Sequence, residues 1–267
     1  LGEIARARGD LAEAKQYLFE AKSIYNEVGD RAGVSRQLLN LGNIARTRGD
    51  FGEADRLYQE SLTIMREIGD RQSEAMALNN LGITAQTRGD FGEAERLYRE
   101  SLAIAREISD RQGEAMPLDN LGLISLMRGD LAAAKLLQQE SLTINREIGY
   151  REGEENSLRS LGHTYLLQDD LVEAERIFRE CLTISREINN KEAEARSLFS
   201  LGAVAEKQGI LAEAERFYRE CRGLVISLGS HGEADILQSL ENIAQTLQEL
   251  GTIAHSNGNY DEQRHRY

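Results

Sequence analysis

Residues 81–122 read LGITAQTRGDFGEAERLYRESLAIAREISDRQGEAMPLDNLG, opening and closing on Leu-Gly with a spacing of 40 between Leu81 and Leu121. Leu1, Leu41, Leu161 and Leu201, each followed by glycine, fall on the same ruler. A fixed period of about 20–50 residues marks an array of stacked units, so the repeat overrides the one or two globular domains that length alone suggests.

One unit reads as two helices. Ala75, Leu78, Leu81, Gly82 and Ala85 recur every three or four residues, the spacing of an amphipathic helix. Gly89 stands where a glycine ends a helix, and Asp90 then opens the next one. Glu93, three residues on, predicts a capping box, as do Asp10–Glu13, Asp50–Glu53 and Asp170–Glu173. Ala133 replaces that glutamate in the third unit and predicts a weaker cap. The second helix places Phe91, Ala94, Leu97, Tyr98, Ser101, Leu102, Ala105 and Ile108 on one face. Glu95 and Arg99 pair at i,i+4 on the other, and the charge runs read as a solvated face. Helices of about 18 residues span about 27 Å. Linkers this short require antiparallel neighbours.

Small residues recur without exception. They are Gly2, Gly42, Gly82, Gly122, Gly162 and Gly202 in the first helices, and Ala14, Ala54, Ala94, Ala134, Ala174 and Ala214 in the second. Glycine within a helix costs about 1 kcal/mol against alanine. Overpacking a close crossing costs about 1–3 kcal/mol. Something must therefore pack tightly against those glycines.

Composition narrows the function. Hydrophobic residues make up 40% of the chain, with no tryptophan and one proline, and Ala, Leu, Glu and Arg dominate. A net charge of −13 disfavours nucleic acid and anionic membrane as partners. No apolar run approaches the roughly 20 residues of a membrane span, and no signal-peptide pattern opens the chain. Leu1 falls in mid-motif, as expected of a piece of something longer. Cys181 and Cys221 share a column with Ala21, Ser61, Ser101 and Ser141, which reads as a small-residue packing site. Repeats stack about 8–10 Å apart, whereas a disulfide needs Cα atoms within about 7 Å. Free thiols in a reducing cytoplasm are expected.

No catalytic constellation is visible. His163, His231, His255 and His265 have neither metal-ligand spacing nor cysteine company. The repeated TRGDFGEA joins two helices, not a strand to a helix, so it is no phosphate loop. The chain is expected to be no enzyme and to carry no cofactor or metal.

Leu81-Gly82, Gly89, Ala94, Tyr98 and Ser101 together resemble the tetratricopeptide repeat, over nearly the whole chain. The 40-residue period resembles the long form in kinesin light chains, in Pins/LGN scaffolds and in the sensor arrays of bacterial NB-ARC ATPases. It departs from the 34-residue pattern in length and lacks a proline closing the second helix; added residues such as SDRQGE should lengthen the helices. The resemblance implies an all-α solenoid of antiparallel helix pairs wound into a right-handed superhelix. The chain then divides as one array over 1–267: a partial unit 1–30, complete units 31–70, 71–110, 111–150, 151–190 and 191–230, and an irregular unit 231–267. In the last, one long or kinked helix is expected from about Gly232 to Ser256, with a turn at Asn257–Asn259 and a truncated second helix. Pro117 should kink its helix or delay its start, which either widens the groove locally or is tolerated drift.

In such arrays the first helices line a concave groove. The residues before Leu-Gly point into it: Asn40, Asn80, Asn120, Ser160 and Ser200. The family's asparagine ladder, which grips a peptide backbone, matches Asn40, Asn80 and Asn120; the competing reading is that each satisfies a neighbouring helix or faces water. On the same face lie Asn43, Ile83, Leu123, His163 and Ala203, then Thr47, Thr87, Met127, Leu167 and Lys207, and on the other side Arg36, Met76, Met116, Asn156 and Arg196. Met76, Ile83, Met116, Leu123, Met127 and Leu167 would form an apolar stretch, unless neighbouring helices cover them. Arg36, Arg159 and Arg196 are candidate anchors for acidic groups. The leading expectation is a scaffold that binds a peptide or helix of another protein. The alternatives are a sensor array within a larger signalling ATPase or effector protein, and a structural solenoid that associates end to end.

Overall fold

A computed structural model of the protein describes residues 11–228. The expectations for Gly2, Asp10, the Gly232–Ser256 helix and the Asn257–Asn259 turn lie outside the described residues, as do His231, His255 and His265.

Eleven helices and no strand are present among the described residues. They are α1 Leu11–Glu27, α2 Arg31–Thr47, α3 Phe51–Ile68, α4 Arg71–Thr87, α5 Phe91–Glu107, α6 Arg111–Met127, α7 Leu131–Glu147, α8 Arg151–Leu167, α9 Leu171–Glu187, α10 Lys191–Lys207 and α11 Leu211–Leu228. The chain divides into two compact units, Leu1–Gly149 and Tyr150–Tyr267. Helices α1 to α7 belong to the first and α8 to α11 to the second. The even-numbered helices are the first helices of their repeats. In the first unit the α2 backbone also approaches that of α4, and α4 that of α6, whereas successive second helices among the described residues meet only through long side chains, as where Arg66 Nη2 donates to Glu100 Oε1 at 2.7 Å and Arg106 Nη2 to Glu140 Oε1 at 2.7 Å. The first helices of that unit therefore stand closer together than the second. In the second unit α8 likewise touches α10.

A glycine–aromatic contact closes four of the five complete helix pairs. A methyl group on Gly42 or Gly82 would stand 2.5 Å from Cε1 of Tyr58 or Tyr98, and one on Gly162 would stand 2.6 Å from Cε1 of Phe178. Gly202 faces Tyr218 in the same way. Tyr58, Tyr98 and Phe178 are fully buried. Only a residue without a side chain lets the ring lie on the facing helix backbone. In the pair α6–α7 the aromatic is replaced by Gln138, whose Cγ would stand 2.9 Å from such a methyl. Ala54, Ala94, Ala134, Ala174 and Ala214 are all completely buried.

The Ser/Cys column does more than save space. Ser101 Oγ donates to the Ala75 carbonyl at 2.8 Å, Ser141 Oγ to Ala115 at 2.9 Å and Ser61 Oγ to Ser35 at 3.1 Å. Cys181 Sγ approaches the Glu155 carbonyl at 3.8 Å, a weaker version of the same link between paired helices. Both cysteines are free and buried, and burial pushes the Cys221 thiol up to about 11.

The joints follow one local rule. A left-handed residue recurs every 20 positions: Gly29, Gly49, Gly69, Gly89, Gly129, Gly149 and Gly209, with Ser109, Asp169 and Asn189 in the same role. The next residue closes the helix just ended and opens the one that follows. Asp90 N–H donates to the Ala85 carbonyl at 2.9 Å, while its carboxylate accepts from Glu93 N–H at 3.1 Å. This corrects the capping box. The N-cap N–H is already engaged by the preceding helix, so Glu53 and Glu93 turn instead to Arg56 and Arg96, at 2.7–2.8 Å. Ala133 for the same reason weakens nothing visible: Asp130 accepts from Ala133 N–H at 2.9 Å. Asp30, Asp70, Asp110 and Asn190 cap first helices likewise, but Tyr150, where the two units divide, makes no side-chain cap.

One further expectation is corrected. Helix α6 starts at Arg111, in register with its counterparts, because Asp110 caps it at Gly113 N–H; it runs through a buried Pro117 with no delayed start. On the second helix Glu95 and Arg99 do pair; on the first helices Glu74, Glu114, Glu154 and Glu194 are buried. Glu74 receives Arg66 Nε at 2.9 Å and Arg71 Nη1 at 2.5 Å, and Glu194 receives Arg186 and Lys191, both at 2.8 Å. A buried carboxylate is tolerated when two cations hydrogen-bond to it.

Ser109 at φ 57° lacks glycine's freedom. Ser109→Gly is expected to stabilise the fold by about 1 kcal/mol and Gly89→Ser to destabilise it by a similar amount. The shift in urea midpoint measures both.

Candidate peptide-binding face

In the first unit the candidate residues lie along α2, α4 and α6. Arg36 is exposed and makes no hydrogen bond or ion pair among the described residues. Met76 is 48%, Met116 53%, Met127 54% and Leu123 37% exposed, so neighbouring helices leave most of this stretch open. Ile83 is partly buried against the core. Thr47 and Thr87 return their hydroxyls to the carbonyls of Asn43 and Ile83, at 2.9 and 2.8 Å.

The asparagines divide. Asn40 and Asn80 are half-buried. Asn120 Nδ2 donates to Asn79 Oδ1 at 3.0 Å, tying α6 to α4. Asn43 Oδ1 accepts from the Tyr58 hydroxyl at 2.7 Å, holding the ring that lies on Gly42. Asn79 is 2% exposed and its Nδ2 has no hydrogen-bond partner.

In the second unit the face is basic. Arg159 and His163 lie on α8, and Arg196 on α10. Arg159 Nη2 donates to Asn156 Oδ1 at 2.7 Å, and its Nε stands 3.6 Å from Glu155 Oε1. His163 packs edge-on against Phe178, with ring centroids 5.1 Å apart. Burial, aided by the Arg159 charge, pushes the imidazole down to about 4. Leu167 is 61% exposed, and Lys207 Nζ reaches Asp169 at 3.3 Å. Burial raises the Glu155 carboxyl above its usual range, while Arg159 and Arg196 pull it back. Sequence reasoning missed Glu155, although a signal was available: its column otherwise holds Ser35, Ala75, Ala115 and Ala195.

A cleft of about 650 Å³ opens elsewhere in the first unit, between α3 and α5, and contains none of the candidate residues. Its four arginines are already matched: Arg56 with Glu53, Arg66 with Glu74, Arg88 with Asp55 and Arg96 with Glu93. Among the described residues no helix is long and apolar enough to cross a membrane. No group of three His, Cys, Asp or Glu side chains there could hold a metal ion.

A family model described as Tetratricopeptide repeat matches residues 1–67, 69–147 and 153–225. No curated protein matches the sequence. Solved structures do. BtubC (BKLC) from P. vanneervenii superposes with a TM-score of 0.68 at 19% identity, over 84% of this chain and 93% of its own. A Rap protein complexed with Competence and Sporulation Factor gives 0.69 at 15% identity, over 93% and 74%. A STAND-class signal transduction ATPase from Pyrococcus horikoshii, with a tetratricopeptide repeat sensor, gives 0.64 at 18% identity, over 95% of this chain and 42% of that one. At these identities the likeness is one of fold.

His163 makes the second unit acid-sensitive. Between pH 6.5 and about 4 the unfolded chain binds a proton that the folded chain refuses, so stability falls as the pH is lowered through that window. His163→Leu removes this dependence. Its stability relative to wild type should rise by about 2–3 kcal/mol between pH 7 and 4.5, as read by urea unfolding at the two pH values.

Proposed function

The chain belongs to the tetratricopeptide repeat family, and on that premise we propose that it is a scaffold that works by binding. The first-helix face holds a polypeptide segment of a partner protein, and the repeats act as one array. The fold supports a protein-interaction role in general. The observation that carries the specific reading is the exposure of Met76, Met116 and Met127, at 48%, 53% and 54%, on helices whose inner face is otherwise largely uncharged. The chain carries a net −13, yet the ion pairs of the first unit gather on the second helices and at the repeat edges. Apolar area with adaptable methionines, beside amide groups of Asn40 and Asn80, suits a segment that offers both side chains and backbone.

A sensor array within a larger protein is the second reading. It is favoured by the fold likeness to the ATPase with a repeat sensor and to the Rap protein complexed with its factor. The two readings share the same face and differ in what is attached to it.

Met76→Glu with Met116→Glu places two charges on exposed positions, so folding should be unaffected. The double variant is expected to lose at least tenfold in affinity for a partner captured from native lysate by the wild-type chain, measured by calorimetry. Unchanged affinity would remove this face from the function.

A further inference from the structure

The chain carries six sulfur atoms, in four methionines and two cysteines, and all of them lie within the described residues. Packing sorts them into two sets. Met65 on α3 is 1% exposed, and Cys181 on α9 and Cys221 on α11 are buried. Met76, Met116 and Met127 each stand about half exposed. The exposed set is confined to α4 and α6, two first helices of the first unit whose backbones approach one another. Met76 and Met116 fill the same column of successive repeats. Met127 lies 11 residues beyond Met116, about three helical turns, and so shares its side of α6. Leu123, between them on that side, is exposed as well. Every accessible sulfur of the chain therefore belongs to the candidate binding face.

Access decides which of these sulfurs meets an oxidant. A thioether needs no deprotonation. Its lone pair attacks one oxygen of hydrogen peroxide and the O–O bond breaks. The hydroxide released takes up the proton left on the transferred oxygen, so that a sulfoxide and water result. The sulfur loses two electrons and the peroxide gains them. Cysteine reacts as its thiolate, and burial raises both thiols, that of Cys221 to about 11. Neither thiol competes for the oxidant. A sulfoxide is polar and chiral where the thioether was apolar and adaptable. We propose that Met76, Met116 and Met127 form a peroxide-modifiable site: their oxidation to sulfoxides makes the face of α4 and α6 polar and releases an apolar segment held there. The fold survives, because Met65, the methionine packed in the core, is out of reach. The proposal rests on the first-helix face being the binding face, and it places that face under control by peroxide.

The test treats the full chain with hydrogen peroxide at pH 7, quenches it with catalase and maps the modified residues by peptide mass spectrometry. Met76, Met116 and Met127 should oxidise about tenfold or more faster than Met65, with both thiols still free and the helical circular dichroism unchanged. The neutral apolar dye Nile red then reports on the face. The oxidised chain should bind it about fivefold or more weakly than the reduced chain, and the two epimer-specific methionine sulfoxide reductases should restore binding. Met76→Leu/Met116→Leu/Met127→Leu, compared with itself before treatment, should show no effect of peroxide, whatever its own starting affinity. Oxidation of Met65 or of either cysteine as fast as the three would overturn the proposal. So would dye binding that survives oxidation, that is absent from the reduced chain or that persists in Met76→Glu/Met116→Glu. The failure of the binding-face reading looks different. Partner affinity unchanged in Met76→Glu/Met116→Glu, with selective oxidation and its dye response intact, removes the partner and leaves the modifiable site. Partner affinity lost there without selective oxidation sinks the modifiable site alone.

Discussion

An aromatic ring packed against a glycine in the facing helix is the contact on which the rest of this protein depends. Tyr58, Tyr98 and Phe178 leave no room for even a methyl at Gly42, Gly82 and Gly162. Glycine is a poor residue for a helix interior, and it stands there because the close approach brings more burial than its flexibility loses. The contact fixes how each first helix sits on its partner. That in turn decides which side of the first helix is left for other molecules. Asn43 shows the coupling: it lies on the candidate face, yet its amide oxygen holds the Tyr58 hydroxyl. Face and core are joined at that residue.

Local signals made most of the fold legible in the sequence. The Leu-Gly ruler, the glycine at each joint and the aspartate after it are read within a few residues of where they act. The reading failed where one residue serves two helices at once. The Asp90–Glu93 pattern predicts a capping box, but the Asp90 N–H already closes the helix before it. Glu93 was left free for Arg96. The burial of Glu74 and Glu194 was missed for a related reason: their cations come partly from the preceding helix, eight residues back, so no i,i+4 rule reveals them.

The candidate face was less legible than the fold. Periodicity indicated which residues share a side of each first helix, and Met76, Met116 and Met127 do stand open. It could not show lateral partners. Asn120 reaches Asn79 on the neighbouring first helix, a partner set by packing, while the pairing of Glu155 with Arg159 is an i,i+4 spacing and only its burial is set by packing. A comparison down the columns would have flagged Glu155 as a charge among small residues. Charge segregation in the first unit, with ion pairs on the second helices and at the starts of the first helices, was hidden by the net charge of −13.

The most direct measurement of the central contact is the effect of Gly82→Ala in two backgrounds, wild type and Tyr98→Ala, by equilibrium unfolding. With the ring present, the added methyl collides with it, and the substitution should destabilise by about 1–3 kcal/mol. With the ring removed, alanine's helix preference of about 1 kcal/mol should emerge and the sign should reverse. The same destabilisation in both backgrounds would mean that the glycine is not there for the ring, and the account would be wrong.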